Sequence, residues 1–214
     1  MIINLLVGGP VCEWPEQLFE DQKAALWVGA DRGALRLVKH GIKPALAIGD
    51  FDSSSPAERK LVFANSQQVV TAKAQKDDTD TELALKLIFK QFDCERINIY
   101  GATGGRLDHF LANLFCVLRP PFDQFLEKIY LYDRFNTVRF FKPGVHWLKK
   151  EEDKKYLAFI PLTAVKALEL FDEKYRLSQT DFTHPISLAS NEFIGETGKF
   201  SFSSGVVCVI QSKD

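Results

Sequence analysis

Between Ile2 and Tyr132, short apolar runs alternate with segments of helical periodicity, and after Asp133 that alternation stops. Strands joined through helices lie parallel, and a parallel sheet needs helices over both faces. The runs Ile2–Val7, Leu26–Val28, Ala45–Ile48, Val69–Val70 and Ile97–Tyr100 predict strands buried on both faces, with Ile129–Tyr132 as a sixth. Ser55-Pro56-Ala57-Glu58 and Thr79-Asp80-Thr81-Glu82 are capping boxes that predict two helix starts, the second opening a helix with Leu83, Leu87 and Ile88. Leu107, Phe110, Leu111, Leu114 and Leu118 recur at the spacing of one helical face and predict a further helix.

From Arg134 onward no helical pattern recurs. The runs Val138–Phe141, Tyr156–Ile160, Val165–Leu170, Phe200–Phe202 and Val206–Ile210 predict strands. They are separated by the turn signals Lys142-Pro143-Gly144, Thr197-Gly198-Lys199 and Ser203-Ser204-Gly205, the pattern of a small β-sandwich or barrel. The expected organisation is an α/β domain over residues 1–133, with a mainly parallel sheet and helices on both faces, followed by an all-β sandwich domain over 134–214.

A hydrophobic fraction of 46% with 26% charged residues describes an ordinary globular chain. A net charge of −1 argues against nucleic-acid binding but not against a small anion bridged by a metal. The four cysteines form no Cys-x-x-Cys pair and the four histidines are scattered, which argues against structural zinc and for reduced, mostly buried thiols. The apolar start, Met1–Val7, is too short for a signal peptide, and no apolar run could span a bilayer, so the expected setting is cytoplasmic, away from membranes.

In an open parallel sheet, ligands bind beyond the carboxyl ends of the strands. Four successive ends carry polar clusters: Asp31, then Asp50-Phe51-Asp52-Ser53, then Asp77-Asp78-Thr79-Asp80, then Gly101-Ala102-Thr103-Gly104-Gly105-Arg106-Leu107-Asp108. Carboxylates gathered this way repel one another, and magnesium, which favours a few carboxylates plus phosphate oxygens, resolves the conflict. Glycines let backbone amides approach a phosphate at a helix start, and Arg106 can add a bidentate contact. Each element also has a plainer reading. Asp80 suits any first helical turn, Asp77 and Asp78 a solvated loop, and Gly104-Gly105 a tight turn. Arg106 and Asp108 could pair on the surface, and His109 reads as packed or exposed rather than catalytic. Their coincidence on one sheet edge favours a metal-assisted reaction on a polyphosphate. No P-loop pattern occurs.

These blocks (Gly29-Ala30-Asp31-Arg32-Gly33, Gly49-Asp50-Phe51-Asp52-Ser53, Lys76-Asp77-Asp78-Thr79-Asp80 and Gly101 to His109) resemble, in order and spacing, the signatures of the thiamine pyrophosphokinases, with the bacterial branch nearest. Ser190-Asn191-Glu192-Phe193 resembles a late Ser-Asn-Glu block of that family. The resemblance implies an N-terminal α/β domain and a C-terminal β-sandwich. It implies a homodimer with active sites at the protomer interface, and a magnesium-dependent transfer of diphosphate from ATP to the hydroxyl of thiamine, releasing AMP. It further implies Asp50, Asp52 and Asp80 as magnesium ligands. ATP and its phosphates fall to Asp31, Gly101, Thr103, Gly104, Gly105 and Arg106. Thiamine falls to Asp78, Ser190 and Asn191, and the catalytic roles to Asp80, Arg106 and Asp108, with Asp77 or Asp78 also open as a carboxylate at the magnesium site. The stretch Thr183–Ala189 lacks a glycine expected before Ser190. Two rival readings are a haloacid-dehalogenase-like phosphatase with Asp50 as nucleophile, and a non-catalytic thiamine or nucleotide binder.

Overall fold

Apolar runs flanked by capped helices give the first unit, Met1–Arg134, its parallel sheet. The computed structural model describes residues 1–21, 25–71 and 78–214, of which Phe135–Asp214 form a second unit. The strands of the first unit are β1 (Ile2–Leu6), β2 (Leu26–Ala30), β3 (Leu46–Gly49), β4 (Val69–Thr71), β5 (Arg96–Tyr100) and β6 (Ile129–Tyr132), and its helices are α1 (Leu18–Asp21), α2 (Arg32–Lys39), α3 (Pro56–Asn65), α4 (Asp80–Gln91) and α5 (Leu107–Phe115). Val11–Glu13, Cys116–Leu118 and Phe122–Lys128 form 3-10 turns.

The strands lie in the order β6-β5-β1-β2-β3-β4, each parallel to its neighbours. The chain steps outward from β1 to β4, returns to β5 on the other side of β1, and steps on to β6. Winding therefore reverses between β1 and β5, which opens a crevice at their carboxyl ends. Right-handed crossovers assign α1–α3 to one face and α4 and α5 to the other. At this seam the buried Asn98 donates an amide hydrogen bond to Asn4 at 2.8 Å, so two polar side chains satisfy each other inside the sheet.

Both capping boxes form: Glu58 N–H donates to Ser55 Oγ (3.3 Å) and Glu82 N–H to Thr79 Oγ1 (3.2 Å), and each glutamate reaches back to its cap's amide. Strands β1, β2, β3 and β5 are buried almost throughout, whereas β4, expected to be buried on both faces, is half-buried because it is the last strand of the parallel set. In β6, buried Ile129 and Leu131 alternate with half-buried Tyr130 and Tyr132. The helix predicted at Leu107 is α5, but its apolar stripe is not buried within the unit. Leu107 is 77% exposed, Leu111 45% and Phe115 40%, and the one buried side chain, Asn113, donates to the Ala102 carbonyl. Leu118 falls in the following 3-10 turn.

In the second unit, β7 (Asn136–Phe141), β8 (Gly144–Lys149), β9 (Tyr156–Pro161), β10 (Val165–Leu170), β11 (Leu177–Phe182), β12 (Leu188–Glu192), β13 (Thr197–Phe202) and β14 (Val207–Ser212) form two antiparallel layers, ordered β12-β9-β14-β7 and β11-β10-β13-β8. Phe141, Leu157, Phe159, Val207 and Val209 of one layer pack against Leu148, Val165, Leu168, Leu170, Phe200 and Phe202 of the other, the inward-alternating core of a sandwich. The apolar runs do not predict strands β8, β11 and β12, and the turn signal Thr197-Gly198-Lys199 instead opens β13. Cys94, Cys116 and Cys208 are buried and Cys12 is exposed, all as free thiols. Among the described residues no helix is long and apolar enough to cross a membrane.

Glu173 stands out in this core edge. It is fully buried, its Oε2 accepts the Asp172 N–H at 3.2 Å, and its Oε1 has no partner among the described residues. Burial pushes its pKa from 4.5 up to about 7. A carboxyl whose folded pKa is raised binds its proton more tightly in the native state, so it costs stability as pH rises from its unfolded pKa to its folded one. Glu173→Gln is therefore expected to stabilise the protein above pH 7, with the gain shrinking as pH falls toward 4.5. Urea midpoints measured across that window check this, and a gain independent of pH would refute it.

Candidate functional site

The crevice at the reversal point is a cleft of about 480 Å³ whose lining includes Gly8, Gly9, Asp31, Arg32, Arg36, Ser53, Asp80, Gly101, Gly104, Gly105 and Arg106. Its floor is made by backbone. Gly9 N–H donates to the Gly101 carbonyl at 2.8 Å, and a Cβ on Gly9 would stand 2.2 Å from that oxygen. Gly101, Gly104 and Gly105 all have positive φ (72°, 71° and 80°), which glycine adopts freely, so the loop after β5 wraps the cleft with no side chains in the way.

On the other side, α2 is drawn tightly onto the sheet. A Cβ on Gly33 would sit 2.0 Å from the Leu6 carbonyl, and one on Gly29 2.4 Å from Ala34 Cα. This close packing sets Asp31, the N-cap of α2, at φ 45°, a strained conformation for a residue with a side chain. Asp31 Oδ2 accepts from Ser53 Oγ at 2.9 Å, and its Oδ1 is buried with no partner among the described residues. Asp50 Oδ1 accepts the Asp52 N–H at 2.9 Å, which folds the Asp-x-Asp loop back on itself. Phe51 between them points into the core at φ 54°. Asp80, the first residue of α4, lines the cleft, and its pKa is pushed up to about 6, first by burial and then by the negative charges of Asp31, Asp50 and Asp52. The structure thus brings Asp31, Asp50 and Asp52 each within electrostatic reach of Asp80.

The remaining expected residues are placed differently. Asp77 lies outside the described residues. Asp78 is ion-paired to Lys86 and lines a separate groove with Leu111 and Phe115. Thr103 Oγ1 is buried without a partner among the described residues. Arg106, at the N-cap of α5, is exposed and turned onto both oxygens of Asp108, which holds the Asp108 carboxyl below the usual carboxylate range. Ser190 and Asn191 belong to the second unit. Ser190 has φ 61°. Asn191, 4% exposed, accepts from the Tyr175 and Glu192 N–H groups (both 2.9 Å) and donates to the Tyr175 carbonyl (2.8 Å), so its amide holds the neighbouring loop. That loop presents Tyr175, 59% exposed, with the Lys174 ammonium 5.6 Å from its ring centroid.

Sequence reasoning did not single out Ser53, Arg36 or Tyr175. The four-residue spacing of Arg32 and Arg36 after Asp31 was the available signal for the second of these, since it places both on one side of a helix beginning at the strand end.

An orphaned carboxylate oxygen beside a carboxyl raised by burial and by like charges fits a hard cation with oxygen ligands. Among the described residues, however, no three of these side chains already form a ready coordination sphere. A glycine-rich loop opposite fits phosphate oxygens.

Residues 18–131 match the family described as thiamin pyrophosphokinase, catalytic domain, and residues 145–207 match thiamin pyrophosphokinase, vitamin B1 binding domain. The chain is 37% identical to the thiamine pyrophosphokinase of Bacillus subtilis (strain 168) over 99% of each chain. Among solved structures, a thiamin pyrophosphokinase family protein from Enterococcus faecalis is 43% identical, with a TM-score of 0.94 over 100% of both chains. A protein from Lactobacillus plantarum is 52% identical, with a TM-score of 0.92 over 100% of this chain and 99% of the other. The order of the acidic blocks, the glycine loop and the two-unit chain agree with these matches: the chain belongs to the thiamine pyrophosphokinase family.

Proposed function

We propose that this protein transfers the β,γ-diphosphate of ATP to the hydroxyl of thiamine in one in-line step at the β-phosphorus, giving thiamine diphosphate and AMP. The observation that carries this reading is the pair Asp31 and Asp80 lining the cleft with Asp50 and Asp52 in electrostatic reach of Asp80, Asp31 Oδ1 having no partner among the described residues, in a cleft that a glycine loop suited to phosphate also lines. Asp50, Asp52 and Asp80, with Asp31 beside them, would hold magnesium, which when bound neutralises charge on the phosphate oxygens. The chain's own part is positioning: Gly101–Gly105 lend backbone amides, and Arg106 turns from Asp108 to phosphate. Asp80 and Asp108 are the two candidate bases for the hydroxyl proton; Arg106 keeps the Asp108 carboxyl acidic until it turns to phosphate.

For thiamine, Asp78 and Ser190 remain contact candidates, while Asn191 serves by fixing the Tyr175 loop. The Tyr175 ring already faces a lysine ammonium, which supports it as the aromatic wall for the cationic thiazolium. A homodimer with active sites at the protomer interface completes the proposal. Its support is the exposed stripe Leu107, Leu111 and Phe115 on α5, which a second copy would cover. The reaction's need for ATP supports a cytoplasmic setting. The phosphatase rival has no support from the comparisons, and Asp50 follows the third strand, not the first. The non-catalytic reading is equally unsupported.

Incubation with thiamine, ATP and magnesium should yield AMP in step with thiamine diphosphate, read by chromatography of the nucleotides. ADP with thiamine monophosphate would overturn the site of attack. Asp52→Asn should lower kcat by about 10²-fold or more while the circular dichroism spectrum stays unchanged. Activity within about twofold of wild type would remove Asp52 from the site. Leu111→Glu, an exposed position on α5, should shift the protein from dimer to monomer in sedimentation velocity, and an unchanged dimer would place the interface elsewhere.

A further inference from the structure

Three arginines line the cleft: Arg32, Arg36 and Arg106. Two of them have a carboxylate. Arg32 pairs with Glu58 at 3.3 Å, and Arg106 pairs with Asp108. Arg36 has none among the described residues. Its Nη1 donates to the Gly9 carbonyl, its guanidinium lies 5.4 Å from the Trp14 ring centroid, and the charge that acts on it is that of Arg32, of the same sign. Burial, and then Arg32, hold its pKa below the usual arginine value. A half-buried cation without an anion pays its desolvation uncompensated.

Arg36 is nonetheless held in a built seat. The Gly9 carbonyl that receives it is fixed by the Gly9–Gly101 contact, where no side chain fits, and Trp14, 6% exposed, stacks against it. One hydrogen bond uses one of five guanidinium N–H donors, so the fork keeps donors to spare. Trp14 Nε1, 3.2 Å from where a Cβ on Gly101 would stand, is a second buried donor with no acceptor among the described residues. A rigid cation and an orphan donor beside a phosphate-suited loop lack the same thing, an anionic acceptor.

We propose that Arg36 binds a phosphate group of the nucleotide through the guanidinium N–H groups that Gly9 leaves free, making it the resident phosphate-binding arginine of the cleft. This inference rests on the ATP-dependent reading above and adds to it a contact that the sequence motifs assign to Arg106. The two arginines differ in readiness: Arg106 must leave a bidentate carboxylate to reach phosphate, whereas Arg36 has no competing anion among the described residues.

The test is calorimetric titration of ATP, and separately of thiamine, into the wild type, Arg36→Gln and Arg36→Lys. Glutamine can still donate to the Gly9 carbonyl but carries no charge, and lysine keeps the charge without the fork. Arg36→Gln should weaken ATP binding about tenfold or more while thiamine affinity stays within about twofold. Arg36→Lys should fall between. A merely structural clamp would disturb both ligands alike or neither. Wild-type ATP affinity in either folded variant overturns the Arg36 assignment and leaves the proposed function standing, whereas a wild-type protein that binds no ATP sinks both.

Discussion

The backbone hydrogen bond from Gly9 to the Gly101 carbonyl is the contact on which the rest of the first unit's chemistry depends. It joins the ends of β1 and β5, the two strands between which winding reverses, and so fixes the width of the crevice at that reversal. Each neighbour inherits its position from that contact. Arg36 hangs from the Gly9 carbonyl, Trp14 packs beneath Arg36, and the glycine loop after β5 leaves the seam at a set angle. A side chain at either glycine would push the strand ends apart, since a Cβ on Gly9 would stand 2.2 Å from the Gly101 carbonyl oxygen and one on Gly101 2.9 Å from that of Val7.

Against this neutral, backbone-built wall stands a charged one built under strain. Asp31 occupies a left-handed backbone conformation and Phe51 another, both at turns that deliver carboxylates to the strand ends. The core supports this arrangement: Phe51 is anchored with Ala34, Leu35 and Val62, and α2 is locked by glycine contacts to β1 and β2. Strain of this kind persists where surrounding packing over-determines it, and it gathers at sites where ligands later supply the missing attraction.

What was legible in the sequence was what local physics decides. Two capping boxes announced their helices because the cap, the glutamate and the first turn lie within four residues. The buried strands announced themselves by unbroken apolar runs. What was not legible depended on partners remote in the chain. Strands β11 and β12 carry exposed polar residues and β8 exposes Val145 and Trp147, so none shows a buried apolar alternation and all three show themselves only through pairing. Thr197-Gly198-Lys199 reads as a turn, yet Gly198 is there because a Cβ would stand 3.0 Å from Glu173 and 3.1 Å from Phe193 across the layer. The site divides the same way. The acidic blocks were visible as motifs, while the employment of Asn191 by Tyr175 and of Arg106 by Asp108, and the lack of any such carboxylate for Arg36, are facts of three-dimensional neighbourhood.

The second unit closes on itself. Strands β7 and β14 pair along their whole lengths, and the Lys213 N–H donates to the Phe135 carbonyl at 3.0 Å, so the first and last residues of the sandwich are neighbours. A module whose ends meet can be cut and rejoined without unravelling. In evolutionary terms the sandwich is a cassette: gene fusion could graft it onto a host at one short seam, and permuted connectivities of its eight strands would keep every pairing it now has.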